Sequence, residues 1–219
     1  MSTVTRLSPQ KSKKRVNLYL DGKFFCGLDL SVVLRHSLKA GQELSEEKLA
    51  TLVNQSEKES LFQKAANFIS YRPRSEKEVR DYLSRKITSR VESPTPQGCK
   101  QKVTLINQSI KRLKKSGLLN DFDFAKWWVG QRLEFRPKGR FALKAELFKK
   151  GIDRKIIDEI LKNISSKEEV KAAKKIYEKA KRQLKSIEPK KKKERLIRRL
   201  SSRGFSWNII KMLVDENGL

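Results

Sequence analysis

The sequence predicts an all-α fold, an elongated array of three tandem three-helix repeats preceded by a small N-terminal β-hairpin. Three observations predict it. An aromatic-Arg-Pro-basic phrase stands at Tyr71-Arg72-Pro73-Arg74 and again at Phe135-Arg136-Pro137-Lys138, with a weaker copy at Ile187-Glu188-Pro189-Lys190. An apolar stripe of helical period is reproduced without a gap: Ile152, Ile156, Ile157, Ile160 and Leu161 correspond to Phe205, Ile209, Ile210, Leu213 and Val214. The segment near the N-terminus, by contrast, alternates with period two around an Asp-Gly pair.

The elements follow in order along the chain. Residues 1–14 read as a basic flexible tail. Within 15–55, Val16, Leu18 and Leu20 share one face before Asp21-Gly22, and Phe24 and Phe25 begin the return strand. Asp-Gly between apolar runs is a strong hairpin signal, because both central turn residues need positive φ. Two short helices, "SVVLRHSLK" and "SEEKLATLV", are expected next, separated by Ala40-Gly41.

The repeats then occupy 56–120, 121–164 and 165–219. Each Pro of the repeated phrase ends one helix, since its ring denies the preceding residue the α conformation. Six and ten residues past it stand Val79 and Leu83 in the first copy and Leu143 and Leu147 in the second; a one-residue slip aligns Leu196 and Leu200 in the third. Upstream, Leu61, Ala65 and Ile69 match Ala125, Val129 and Leu133. Gly151 and Gly204 stand where a helix-ending glycine belongs. Ser56 with Glu59, Ser75 with Glu78 and Ser166 with Glu169 have capping-box spacing. The first repeat carries a loop insertion near 88–100, marked by "SPTPQG".

Composition narrows the function. The net charge of +27 calls for a polyanion or an acidic protein surface as partner. Two cysteines and one histidine supply neither a disulfide framework nor a zinc site, so a reducing compartment is expected and no metal or cofactor is implied. No apolar stretch is long enough for a membrane span, and the reading is of a cytoplasmic protein that engages no membrane. Asp121 and Asp123 in "GLLNDFDF" open a helix, where negative side chains complement its dipole. His36 beside Arg35 reads as a surface or packing residue, and no phosphate loop is present. The spacing of Phe124, Trp127 and Trp128 is that of a helix packed into a core rather than of rings offered to bases. An enzyme is not expected.

The cations form the candidate site. From Ser165 to Leu219 there are seventeen Lys or Arg against seven acids, including Lys190, Lys191, Lys192 and the pair Arg198-Arg199. In the second repeat, Leu143 and Leu147 make one apolar stripe of the middle helix, while Phe141, Ala145 and Phe148 make another. Arg140 and Lys144 lie on an edge between the two. The double stripe predicts a central repeat packed by both neighbours. Lys144 aligns with Arg80 of the first repeat.

The phrases "RLEFRPKGRFALKAELFKKGI", "GLLNDFDFAKWWV" and "YRPRSEKEVRDYL", with the opening "VNLYLDGKFFCGLDLSVVLRHSLKAGQELSEEKLATL", resemble the RecX family of bacterial regulators of the recombinase RecA. The resemblance covers residues 15 to 216. It implies a non-enzymatic protein that binds RecA, lies in the groove of the RecA–DNA filament and inhibits strand exchange and ATP hydrolysis; a monomer is expected. The family's basic surface corresponds here to Arg72, Arg136, Lys138, Arg140 and Lys144. Arg74, Arg80, Lys190 to Lys192, Arg198 and Arg199 complete the candidate partner surface, which would meet RecA and the phosphates of single- and double-stranded DNA. The "SPTPQGC" insertion and the very basic third repeat depart from the family pattern. An autonomous helical binder of DNA or RNA is the alternative that the charge alone supports.

Overall fold

The computed structural model describes residues 1–11, 13–88, 96–184 and 186–215. The chain divides into two compact units. One comprises Met1–Tyr71 with Val79–Leu118, the other Arg72–Glu78 with Leu119–Leu219.

The first unit opens with strands β1 (Ser2–Pro9), β2 (Arg15–Leu20) and β3 (Lys23–Asp29), then helix α1 (Leu30–Arg35), the short strand β4 (Glu43–Leu44) and helix α2 (Glu46–Ser70). The expected hairpin is the β2–β3 pair, and its turn residues Asp21 and Gly22 both have positive φ, 48° and 81°. Val16, Leu18 and Leu20 are buried together as the alternation predicted. Residues 2–9, expected in a flexible tail, instead form β1, which pairs antiparallel with both β2 and β4 to give a sheet of order β3-β2-β1-β4. Val4 on β1 is fully buried against the strand and helix residues Leu18, Leu28, Val32 and Leu52, so the apolar residue holds the segment despite its charged surroundings.

Helix α2 runs without interruption through the expected boundary at residue 55. Ser45, rather than Ser56, caps it by accepting from the Lys48 N–H. Ser56 and Glu59 lie buried mid-helix: Ser56 Oγ accepts from the Asp29 N–H at 2.8 Å, and Glu59 pairs with Arg112 at 2.6 Å. Nothing between Val53 and Ser60 breaks a helix, and Leu49, Leu52, Leu61 and Ala65 keep one continuous buried face.

Helices α3 (Glu76–Thr88) and α4 (Pro96–Lys115) complete the first repeat. Pro96, placed by the sequence reading in the "SPTPQG" loop, begins α4; the remainder of that expected loop, up to residue 95, lies outside the described residues.

The second unit holds α5 (Asp121–Phe135), α6 (Arg140–Lys149) and α7 (Arg154–Lys162), then α8 (Ser166–Gln183), α9 (Pro189–Ser201) and α10 (Trp207–Asp215). The repeat alignment holds residue by residue. Val79, Leu83, Leu143, Leu147, Leu196 and Leu200 are all at most 1% exposed. In both stripes four of five positions are buried, with only Ile156 and its counterpart Ile209 partly exposed. Asn120 caps α5, so Asp121 and Asp123 fall in its first turn as expected. The third capping box forms one residue early, with Ser165 and Glu168 in place of Ser166 and Glu169. That shift frees the buried Glu169 carboxylate for an ion pair with the half-exposed Arg140.

The second apolar stripe of α6 departs from expectation. Phe141 is 70% and Phe148 50% exposed, and Ala145 is also exposed. Neighbouring segments reach α6 through its two ends rather than through that stripe.

Candidate functional site

Within the second unit the starts of two middle helices meet the ends of others, and the same device is used twice. At the first junction, the start of α3 meets the end of α6. Ser75 Oγ donates to the Lys150 carbonyl at 2.8 Å, and Lys77 Nζ to the Lys149 carbonyl at 3.2 Å. At the second, the start of α6 meets the end of α9: the Gly139 N–H donates to the Arg203 carbonyl at 2.9 Å and the Phe141 N–H to the Gly204 carbonyl at 3.3 Å. The glycine that closes each receiving helix has positive φ, 78° at Gly151 and 76° at Gly204. Each also leaves space for the incoming helix. A Cβ on Gly151 would lie 2.8 Å from Lys77 Cβ, and one on Gly204 2.6 Å from Ala142 Cβ.

The charges at the two junctions differ. At the first, Glu78 receives Arg72 through two hydrogen bonds of 3.0 and 3.1 Å and also accepts from Lys150 Nζ. Burial works against ionisation of Glu78, but those cationic donors outweigh it and hold the carboxyl below the ordinary glutamate range. Arg72 also lies over the Trp127 ring, and Lys150 over that of Trp128. In the repeat alignment Arg72 becomes Arg136, Lys150 becomes Arg203 and Glu78 becomes Ala142. The second junction therefore keeps both cations and lacks the carboxylate. Arg203 turns to the Pro137 carbonyl at 3.4 Å, and among the described residues the Arg136 side chain has no partner.

The other sequence candidates scatter. Lys138 joins Arg132 and the Trp128 indole N–H on Glu146, a second carboxyl whose burial is outweighed by its donors and whose pKa is lowered. Arg140 donates from Nη2 to the Ile164 carbonyl at 2.6 Å, and its Nε lies 2.9 Å from Glu169 Oε2, off the N–H direction. Lys144 meets Asp158 at 2.7 Å. Arg80 donates to Asn107 in the first unit, and Arg74 is half-buried. Lys190, Lys191 and Arg198 are exposed, and Lys192 is partly so. The Lys190–Lys193 run forms the first turn of α9, where cations oppose the helix dipole.

Two clefts each bring two candidates together: Arg140 and Lys144 line one that also holds their carboxylate partners Glu169 and Asp158, and Arg136 and Arg199 line the other. The latter has a volume of about 500 Å³ and is lined by Phe135, Arg136, Lys175, Lys179, Arg199 and Arg203, with Glu134, Pro137 and Ile176. Sequence reasoning missed Lys175, Lys179 and Arg203. The first two stand four apart on one face of α8, a signal too common in a chain this basic to single them out. Trp127 and Trp128 stack against Phe124 or bear cations on their faces, as the core reading expected. His36 ends α1 and meets Gln55 at 2.7 Å.

A small antiparallel sheet followed by tandem three-helix repeats defines the class: a helical-repeat protein whose charge lies on its surface. Family models place it more closely. The regulatory protein RecX N-terminal domain matches residues 2–45, and the first, second and third RecX three-helix domains match 62–90, 120–161 and 167–214. The chain is 34% identical to the regulatory protein RecX of Bacillus pumilus over 217 residues, 99% of this chain and 78% of that protein. It is 33% identical to that of Bacillus subtilis, again over 99% of this chain and 77% of the relative. A crystal structure of RecX from Lactobacillus salivarius matches with a TM-score of 0.59 at 26% identity, covering 73% of this chain and 95% of that one. Another, of a regulatory protein RecX, shares the fold with a TM-score of 0.72 at 23% identity, over 98% and 100% of the two chains. The chain belongs to the RecX family of regulatory proteins. Among the described residues no helix is long and apolar enough to cross a membrane.

Proposed function

We propose that this protein acts as a RecX-type regulator that binds RecA and the RecA–DNA filament and restrains recombination and ATP hydrolysis. The observation that carries the reading is the near full-length similarity to proteins named regulatory protein RecX, joined to a +27 charge on a repeat fold. The protein needs no chemistry of its own and no cofactor: it works as a cytoplasmic monomer by binding several components of the filament at once. Phosphate contacts supply part of the affinity, and protein contacts with RecA supply the preference for the filament over bare DNA.

Substoichiometric protein is expected to lower the DNA-dependent ATPase of RecA from the same source. At moderate salt it is expected to bind RecA-coated DNA more tightly than DNA alone. An unchanged ATPase with unchanged filament lifetime contradicts the proposal. Equal binding to bare and coated DNA, lost steeply as salt rises, favours instead an autonomous nucleic-acid binder, the reading the charge alone supports.

A further inference from the structure

The cleft at the second junction has a composition that folding alone does not account for. Lys175 and Lys179 lie one turn apart on α8, and Arg199 and Arg203 face them from the end of α9 and the turn beyond it. Like charges so placed repel. Among the described residues the only carboxylate lining the cleft is Glu134, whose contact with Lys175 is long, 3.5 Å, and exposed. Among the described residues Arg136 and Lys179 have no partner. In the repeat alignment Ala142 stands where the first junction has Glu78, so these cations lack that carboxylate.

A ring adjoins the cations. Phe135 ends α5, lines the cleft and is 71% exposed, although the same unit buries other aromatic side chains such as Phe124 and Phe205 completely or nearly so. Cations that accept phosphates beside an aromatic face are the means by which proteins hold unpaired nucleic acid, because every base offers a face to stack and the strand supplies one charge per nucleotide. In a duplex those faces are covered by neighbouring pairs. The volume of about 500 Å³ falls within the roughly 300–1,000 Å³ of sites that take small molecules, so the cleft can admit a nucleotide-sized group.

The geometry points to this cleft as a binding site for single-stranded nucleic acid, with Arg136, Lys179, Arg199 and Arg203 on the phosphodiester backbone and Phe135 stacked on a base. The inference sharpens the DNA-binding half of the function proposed above and is tested without RecA. Lys175 contributes in competition with Glu134.

Anisotropy of a fluorescein-labelled oligothymidine of about a dozen nucleotides, and of an abasic strand of equal length, reads the affinity of the full-length protein and its variants. Phe135→Ala is expected to weaken oligothymidine binding roughly tenfold and to leave abasic binding unchanged. Phe135→Trp is expected to restore it. The double variant Arg136→Glu/Lys179→Glu is expected to weaken both strands and to reduce the salt slope by about 1.4, two contacts at about 0.7 each. Circular dichroism checks that each variant is folded. Equal effects of Phe135→Ala on the two strands, or none, overturn the stacking assignment. Unchanged binding of both strands by the double variant overturns the site. If the variants bind strands normally but lose RecA-coated DNA, the cleft docks protein: this inference fails while the proposed function stands. If the strands are lost and RecA inhibition persists, the site holds and the two activities are separate.

Discussion

The two junctions of the second unit use one backbone device and opposite electrostatics. In each, the start of a middle helix lands on the glycine that ends the next middle helix, and a carbonyl beside that glycine accepts a hydrogen bond. At the first, Glu78 gathers Arg72 and Lys150. At the second, Ala142 stands where Glu78 would, Arg203 turns to the Pro137 carbonyl, and among the described residues the Arg136 side chain has no partner. A repeat can thus keep its joint while the change of a single side chain leaves two cations without the carboxylate that pairs their counterparts.

The backbone device is tested by the largest changes. Gly204→Ala forces a Cβ into Ala142, whose backbone cannot yield, in a conformation that L side chains rarely adopt, and is expected to cost about 3 kcal/mol or more. Gly151→Ala meets the Lys77 side chain, which can shift in part, and should cost less, about 1–2 kcal/mol. Chemical denaturation of the two variants compares them; equal costs would mean that the joints are not built as described.

Next come the cations that the sequence treated alike. Arg140→Glu sets a carboxylate against the buried Glu169 and is expected to destabilise by about 2–4 kcal/mol, whereas Arg136→Glu should stay within about 0.5 kcal/mol of the parent. Thermal melting checks both. A large loss for Arg136→Glu would show that it has a structural partner.

The smallest effect is one of pH. Glu78 and Glu146 have pKa values lowered in the folded state, so they bind protons more readily when unfolded. Their stabilisation is fully present above the ordinary glutamate value and is lost as pH falls through that range and below. Melting temperature is expected to decline on acidification from neutrality, and Glu78→Gln should flatten that decline. A Glu78→Gln profile parallel to the parent's would remove the pair from the account.

Much of this was legible in the sequence. The repeated phrase, the reproduced stripe and the Asp-Gly turn give the repeats and hairpin, because buried positions must recur wherever one core is built again. Strand β1 was not legible: Val4 and Leu7 stand three apart among polar residues and Arg6, out of the period of two, and only pairing with β2 and β4 makes the segment a strand. Ser56-x-x-Glu59 has the spacing of a cap but sits mid-helix, since the same residues also satisfy distant donors. Among the cations, the alignment itself sets Glu78 against Ala142, yet it does not say which helix ends meet. Lys138, Arg140 and Lys144 therefore looked like surface charge, although they bind Glu146, Glu169 and Asp158. The exposed Phe141 and Phe148 show the converse error, since a helical stripe reads as buried whether or not a neighbour arrives.

The central claim is that one missing carboxylate opens the second junction to a polyanion. Ala142→Glu restores the carboxylate in the setting of Arg136 and Arg203, and the direct measurement is the affinity of that variant, shown to be folded, for single-stranded oligothymidine as a function of salt. The account predicts severalfold weaker binding and a salt slope reduced by about 1.4, as two phosphate contacts are satisfied internally. Binding and slope equal to the parent's would contradict it.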